Sequence, residues 1–169
     1  MQVPLHPIVV HFPIALSFLL PILALVFAFF IKTKKMNGSM WAIIMGLHLF
    51  TVGMGYLSLE TGEREEDVVE KIVDKELIAE HEKYAEIFVG VTVVATVISI
   101  VAYFIQAHLQ MYVQLANVIV LLIAALFAYE TGEHGGELVY KHGATRAYEL
   151  NLNNDVQLNI LPTPGMNTS

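Results

Sequence analysis

Residues 8–31 read IVVHFPIALSFLLPILALVFAFFI, a run that contains no acidic residue, lysine or arginine. At about 1.5 Å per residue, a helix of about 20 residues crosses a hydrocarbon core of ~30 Å. Three further apolar stretches of similar length follow at 40–59, 85–106 and 111–129. The chain of 169 residues is 56% hydrophobic and only 15% charged, with a mean hydropathy of +0.60, which is unusual for a water-soluble domain. The sequence therefore predicts an integral membrane protein with four transmembrane helices.

An internal repeat organises these helices. His11 lies 49 residues before the Glu60 that opens a Glu-Thr-Gly-Glu sequence, and His81 lies 49 residues before Glu130 of a second copy, so an offset of 70 residues relates the two sets. A fixed internal period is the signature of a repeated structural unit. Each repeat corresponds to a helical hairpin, at 6–70 and 76–142. Two hairpins inserted in the same sense predict an all-α, up-down-up-down four-helix transmembrane bundle over residues 1–150, with helices one and three on one diagonal and a tail at 151–169.

The charged residues are distributed asymmetrically. No acidic residue precedes Glu60, and the connection between the first two helices carries Lys32, Lys34 and Lys35. Residues 60–86 contain eleven acidic side chains against four basic ones. By the positive-inside tendency the lysine connection is expected in the cytoplasm, with both termini and the acidic connection on the opposite side. The formal net charge of −7 gives no reason to expect a nucleic-acid partner.

Histidine and glutamate side chains collect at the predicted outer end. His11 and His81 begin helices one and three, while Glu60 and Glu130 end helices two and four, so all four are expected near one depth. Ionisable residues at membrane depth are costly and mark functional sites by default. The secondary candidates at the same end are His6, Glu63, Glu133, His134 and His142. His48 has no counterpart in the repeat and is expected to be a satisfied core histidine.

Three interpretations of this cluster stay open. A diagonal pair formed by His11 and His81 is suited to bis-imidazole ligation of haem, and the absence of cysteine requires a non-covalent haem b. Alternatively, His11, His81, Glu60 and Glu130 hold a non-haem transition metal. In the third interpretation the histidines and glutamates only satisfy each other, and Glu-Thr-Gly-Glu is a helix C-terminal cap with glycine at positive φ. Gly135-Gly136 predicts a tight turn after helix four.

Residues 6–16 (HPIVVHFPIAL), His81 at the start of the third helix and residues 135–143 (GGELVYKHG) resemble the family called "domain of unknown function 2231", a group of predicted bacterial membrane proteins. The resemblance covers about residues 4–145. The resemblance implies a location in the bacterial inner membrane and a distant similarity to four-helix di-haem b-type cytochromes. It also implies a redox setting, because relatives within this family are joined to Rieske or cytochrome c modules. One diagonal histidine pair is found here, whereas a di-haem protein needs two.

These observations favour a membrane-embedded redox protein that binds haem b. It would pass electrons between a quinol or membrane partner and an extracytoplasmic acceptor such as a cytochrome or Rieske-type protein. An electron-transfer subunit of a larger membrane complex or oligomer fits better than a stand-alone enzyme. The alternatives are a non-haem metal-binding or ion- or proton-conducting membrane protein, and a structural subunit of a respiratory complex.

Overall fold

The computed structural model describes residues 4–150, apart from the side chain of Ala107. The predicted tail at 151–169 lies outside this range. The helices are α1 (His6–Val9), α2 (His11–Lys32), α3 (Trp41–Val69), α4 (Lys75–Phe104) and α5 (Ala107–Tyr140), with a 3-10 turn at Gly38–Met40 before α3. Residues 144–150 are also helical, and no strand occurs within 4–150. The predicted all-α fold is confirmed.

Four helical segments are long and apolar enough to span a membrane. They are His6–Lys32, Gly38–Val69, Lys75–Phe104 and His108–Tyr140. Large apolar side chains such as Ile22, Ile119 and Leu126 are at least 60% exposed on the outside of the bundle. Such an apolar surface is expected where lipid is the solvent. The helices also suit lipid because they satisfy their backbone polar groups internally. The four predicted transmembrane helices are therefore confirmed.

The helices pack in the predicted circular order. The neighbouring pairs are α2 with α3, α3 with α4, α4 with α5 and α5 with α2, whereas the diagonal pairs make little contact. Small residues line these contacts, among them Ala24, Ala28 and Ala95, each with no exposed surface. Small side chains let membrane helices approach closely and gain van der Waals contact. We call the end of the bundle that carries Lys32 and Lys34 the lysine end, and the end that carries residues 60–86 the acidic end.

The first transmembrane segment is interrupted near its beginning. Pro13 has no N–H to donate to the carbonyl of Val9 four residues earlier, so the hydrogen-bond ladder is broken there. The chain makes a turn at Val10, which separates the short helix α1 from α2. Helix α1 packs against α3, and this contact sets the position of His6.

Helices α3 and α5 extend further than the sequence indicated. Both Glu-Thr-Gly-Glu sequences lie inside helices, as does Gly135-Gly136, so the predicted C-terminal caps and the predicted turn are wrong. The only positive φ at a glycine within 4–150 is at Gly143. Past the membrane, water solvates the acidic side chains, and ion pairs such as Arg64 with Glu60 support the extra turns. Helices α3 and α4 both extend to a turn at residues 70–74, so the acidic connection forms no separate surface helix.

Candidate functional site: a histidine pair at the acidic end

A cavity of about 610 Å³ lies at the acidic end, between all five helices and the helical residues 144–150. Most of its wall is apolar, with Ile14, Phe88 and Leu138 among the contributing side chains. Its volume is within the range of about 300–1,000 Å³ that is typical of small-molecule and cofactor sites. The imidazoles of His6, His11 and His81 also line this cavity.

Two of these imidazoles come together across the bundle. The ring centroids of His6 and His81 are 6.1 Å apart, and the ring planes are nearly perpendicular at 89°. His6 belongs to the first transmembrane segment and His81 to the third, so the pair spans the diagonal that the repeat predicted. Both rings are partly buried.

Backbone carbonyls fix the orientation of both rings. The Nδ1 of His6 donates to the carbonyl oxygen of Ser58 at 2.9 Å, and the Nδ1 of His81 donates to that of Thr131 at 3.0 Å. A carbonyl oxygen can only accept, so Nδ1 carries the proton and the Nε2 of each neutral ring keeps its lone pair. The same carbonyl bond orients most metal-ligating histidines. Each ring therefore has one nitrogen free to bind a ligand.

Two glycines make room for these rings. A Cβ placed on Gly62 would lie 3.1 Å from Cε1 of His6, and one on Gly135 would lie 3.0 Å from Cε1 of His81. Both distances are shorter than ordinary van der Waals contact. In each case the glycine follows, by four residues, the residue whose carbonyl the ring bonds, since Ser58 precedes Gly62 and Thr131 precedes Gly135. The absence of a side chain lets each imidazole reach its carbonyl over the helix surface.

Glu65 holds the start of α1 in place. Its Oε1 accepts from the backbone N–H groups of Leu5 at 2.7 Å and His6 at 3.1 Å, and its Oε2 accepts from the Tyr148 hydroxyl at 2.8 Å. The first N–H groups of a helix lack partners within the helix, and a carboxylate there is favoured by the helix dipole. Leu5, at the N-cap of α1, has no side-chain cap of its own. Burial and then the bond to Glu65 raise the pKa of Tyr148 well above its usual value.

Sequence reasoning did not single out Glu65 and Tyr148. Glu65 lies within an acidic run that offers no contrast along the chain, and Tyr148 is 83 residues away from it. The one available signal was the Leu5-His6-Pro7 sequence, in which a helix begins with proline but without a capping side chain. Such a start implies a cap supplied from elsewhere in the fold.

The structure pairs His81 with His6, whereas the repeat suggested His11. His11 lines the same cavity, but its side chain is exposed. Five residues separate His6 from His11, which on a helix turns them about 140° apart, and the break at Val10 separates their helices further. His6 was a secondary candidate and lies at the centre of the site.

The glutamates predicted as ligands take different positions. Glu60 is exposed and paired with Arg64 at 2.8 Å, while Glu63 lines the cavity with an exposed side chain. Glu130 is partly buried, and Glu133 is exposed. Within residues 4–150, no group of three or more His, Cys, Asp or Glu side chains is arranged to hold a metal ion. The structure does not gather these carboxylates around the histidine pair.

The two remaining histidine candidates lie on the C-terminal side. His134 donates through Nδ1 to the carbonyl of Glu130 at 2.8 Å, and its ring stacks on Tyr84 with centroids 4.7 Å apart. Its Nε2 is 3.6 Å from a carboxylate oxygen of Glu80. His142 follows α5 and is exposed. These contacts make His134 part of the packing between α4 and α5.

The fold and the site thus define a four-helix membrane protein with a diagonal imidazole pair in an apolar cavity at one end. The family described as "Predicted membrane protein (DUF2231)" matches residues 2–147, and the chain belongs to this family. No curated protein and no solved structure matches the chain.

Proposed function

We propose that the cavity at the acidic end binds one haem b, with His6 and His81 as its axial ligands, and that the protein transfers electrons. The observation that carries this proposal is the arrangement of the two imidazoles. They come from diagonally opposed segments, lie 6.1 Å apart and have their Nδ1 atoms engaged by carbonyls. The proposal keeps the predicted His81 and replaces His11 by His6 as the second ligand.

The separation of the rings fits two axial ligands. With a bond of about 2.0–2.1 Å from a metal to each imidazole nitrogen, plus the distance from that nitrogen to its ring centre, two rings on opposite sides of one metal are roughly 6 Å apart. The observed centroid distance of 6.1 Å agrees with this value. Perpendicular ring planes are compatible with such ligation, because each ring rotates about its own bond to the metal.

The composition of the site favours haem over a bare metal ion. A bare transition metal takes four or more protein or water ligands, and within residues 4–150 no third side chain joins the pair. A porphyrin supplies four nitrogens itself and asks the protein for two axial ligands only. The apolar cavity wall suits a flat, largely apolar macrocycle. Because the chain has no cysteine, such a haem is held without thioether bonds.

The protein's own groups prepare this site. Haem iron supplies one-electron chemistry when bound, and its potential depends on the axial ligands, their hydrogen bonds and burial. The carbonyls of Ser58 and Thr131 hold both rings in the tautomer that leaves Nε2 free. Glu65 is a positioning residue, because it fixes the start of α1 from which His6 projects.

The acidic end is suited to a basic redox partner. Glu63, Glu66 and Glu82 lie at the cavity wall, and the net charge of the chain is −7. A surface of one charge sign steers an oppositely charged partner toward it and raises the association rate. We assign this end to the extracytoplasmic side of a bacterial inner membrane, where a soluble cytochrome or Rieske-type domain exchanges electrons with it. A quinol or a membrane-bound partner is the proposed donor.

An absorbance spectrum of the purified protein tests this proposal. Expression with adequate haem supply is expected to give a Soret band and the sharp α-band of low-spin haem after reduction. Replacing His6 or His81 by Ala is expected to abolish the low-spin bands. His11→Ala is the matched control, because His11 lines the same cavity, and it is expected to keep them.

Measurements on the same samples can also contradict haem ligation by His6 and His81. Absence of a Soret band in the wild type ends the haem proposal. Stoichiometric iron, zinc or manganese without porphyrin would support the non-haem alternative instead. Loss of the low-spin bands in His11→Ala together with their retention in His6→Ala would return the ligand role to His11.

A further inference from the structure

His48 is the single ionisable group other than tyrosine in the apolar stretches of the four helices. The stretches 12–31, 41–59, 87–104 and 109–129 contain no Asp, Glu, Lys or Arg, and His48 is their one histidine. It is completely buried, about 10 Å along α3 from Trp41 at the lysine end. An ionisable residue at this depth is a candidate for function by default. The histidine pair at the acidic end does not involve it.

A hydrogen bond to Asn117 fixes the tautomer of His48. The Nδ2 of Asn117 donates to the carbonyl of Ala95 at 2.6 Å, so the amide's Oδ1 is its acceptor. Oδ1 lies 3.2 Å from Nε2 of His48, which therefore carries the proton and donates. The Nδ1 of the neutral ring is then left with a lone pair. Nδ1 is buried and has no protein partner, whereas Nε2 has one.

Gln114 presents the complementary deficiency. It lies one helical turn before Asn117 on the same face of α5 and is 1% exposed. Its Nε2 is buried without an acceptor. Thr51 lies three residues after His48 on α3. Its hydroxyl donates to the carbonyl of Leu47, and the hydroxyl oxygen remains able to accept a hydrogen bond. The Nδ1 of His48 thus lacks a donor and the Nε2 of Gln114 lacks an acceptor, and each unsatisfied buried group is costly.

We propose that His48, Asn117 and Gln114 form a second site, which binds one water molecule and accepts a proton on Nδ1 of His48. Gln114 donates to the water oxygen, and the water donates to Nδ1, so both unsatisfied atoms gain a partner. A buried water needs two to four polar groups, and this patch supplies them. A proton arriving through the water binds to Nδ1 and converts the ring to imidazolium. The water then accepts from Nδ1–H, while Nε2–H continues to donate to Asn117.

The surroundings indicate a transient proton site. Residues 12–31 of α2 contain no titratable group, because its His11 lies at the acidic end, and α4 contributes Tyr103 from the packed core at the lysine end. The tyrosines of α5 at 112 and 129 are more than half exposed on the outside of the bundle. No carboxylate on the described helices faces His48 to form a permanent ion pair. The oxygen of the Asn117 amide, which accepts from Nε2–H, is the group that stabilises the imidazolium.

Nitrogen NMR on the full-length protein in lipid nanodiscs, with ¹⁵N-labelled histidine, tests this site. At neutral pH the His48 signals are expected to show a protonated Nε2 and an unprotonated Nδ1 with a cross-peak to water. On acidification, Nδ1 is expected to become protonated. The variant His48→Gln assigns the signals, since a Gln amide can still donate to Asn117 but has no nitrogen lone pair to take a proton.

A second variant separates the water from the fold. Gln114→Leu is expected to remove the water cross-peak and shift the titration midpoint of His48, while the Nε2 bond to Asn117 and the dispersion of the backbone spectrum are kept. Absence of the water cross-peak in the wild type, the opposite tautomer, or an Nδ1 that takes up no proton before the backbone spectrum loses its dispersion each overturns the proposal. The readouts require no haem, so this site stands or falls separately from the cavity at the acidic end.

Discussion

Replacing Gly135 by Ala should disturb the site without destabilising the protein, and the neighbouring Gly132 provides its control. Both glycines lie in the part of α5 beyond the apolar stretch. Glycine to alanine in a helix interior is worth about 1 kcal/mol of added stability. A Cβ on Gly132 meets nothing within 4 Å, so Gly132→Ala is expected to gain this amount.

At Gly135 the gain is opposed by the His81 ring. The new Cβ would lie 3.0 Å from Cε1 and 3.4 Å from Nδ1, so the ring must move by several tenths of an ångström. Its Nδ1 bond to Thr131 of the same helix, at 3.0 Å, restrains that movement. Weakening one such hydrogen bond costs about 0.5–1.5 kcal/mol, which offsets the helix-propensity gain. The net change in unfolding free energy is therefore close to zero. Displacement of the His81 ring should lower the affinity for haem about tenfold, or roughly 1.4 kcal/mol.

Chemical denaturation in detergent, followed by helix content, gives the two stability changes, and titration of the purified apoprotein with haem gives affinity. Gly132→Ala should be more stable than wild type by about 1 kcal/mol. Gly135→Ala should show wild-type stability and weakened binding. Equal stabilisation by both substitutions, with equal affinity, would refute the close packing of His81 against α5.

Three further predictions concern single hydrogen bonds, two of them at the acidic end and one at the centre of the bundle. Glu65→Gln should weaken the bonds to Leu5 and His6 by about 1.5–3 kcal/mol in total, seen as faster amide hydrogen exchange at the start of α1; unchanged exchange contradicts the capping role. Burial and the bond to Glu65 raise the pKa of Tyr148 in the folded protein. The contribution of Tyr148 to stability is therefore present at neutral pH and lost as the pH rises above the ordinary tyrosine value of 10.0. Tyr148→Phe should flatten this loss of stability at alkaline pH, and an identical loss in both proteins would count against this role of Tyr148. Asn117→Leu should cost about 1–3 kcal/mol by leaving Nε2–H of His48 without an acceptor, measured by denaturation, and a neutral effect would contradict the His48–Asn117 bond.

Hydropathy and the repeat were enough to predict the four membrane helices and their circular order. Both depend on patterns that extend over many residues, so small errors of register do not affect them. The helix ends were harder to predict, because Gly62 and Gly135 resemble terminators along the chain. In the fold they are contact points for imidazole rings, and tertiary packing outweighs their low helix propensity.

The partner of His81 could not be read from the repeat. The offset of 70 aligns His11 with His81, but the residues that dock the two rings, Ser58 with Thr131 and Gly62 with Gly135, are related by an offset of 73. An offset of 73 carries His81 back to position 8, which lies between His6 and His11, so the repeat does not choose between the two histidines.

Low-temperature electron paramagnetic resonance of the oxidised, haem-loaded protein reports on the ligands of the iron. Two axial imidazoles with perpendicular planes give a strongly anisotropic low-spin signal, and the 89° angle between His6 and His81 predicts that signal here. It should persist in His11→Ala and be replaced by a high-spin signal in His6→Ala and His81→Ala. A wild-type protein without haem iron, or with a high-spin signal that none of these substitutions alters, would contradict ligation by this pair.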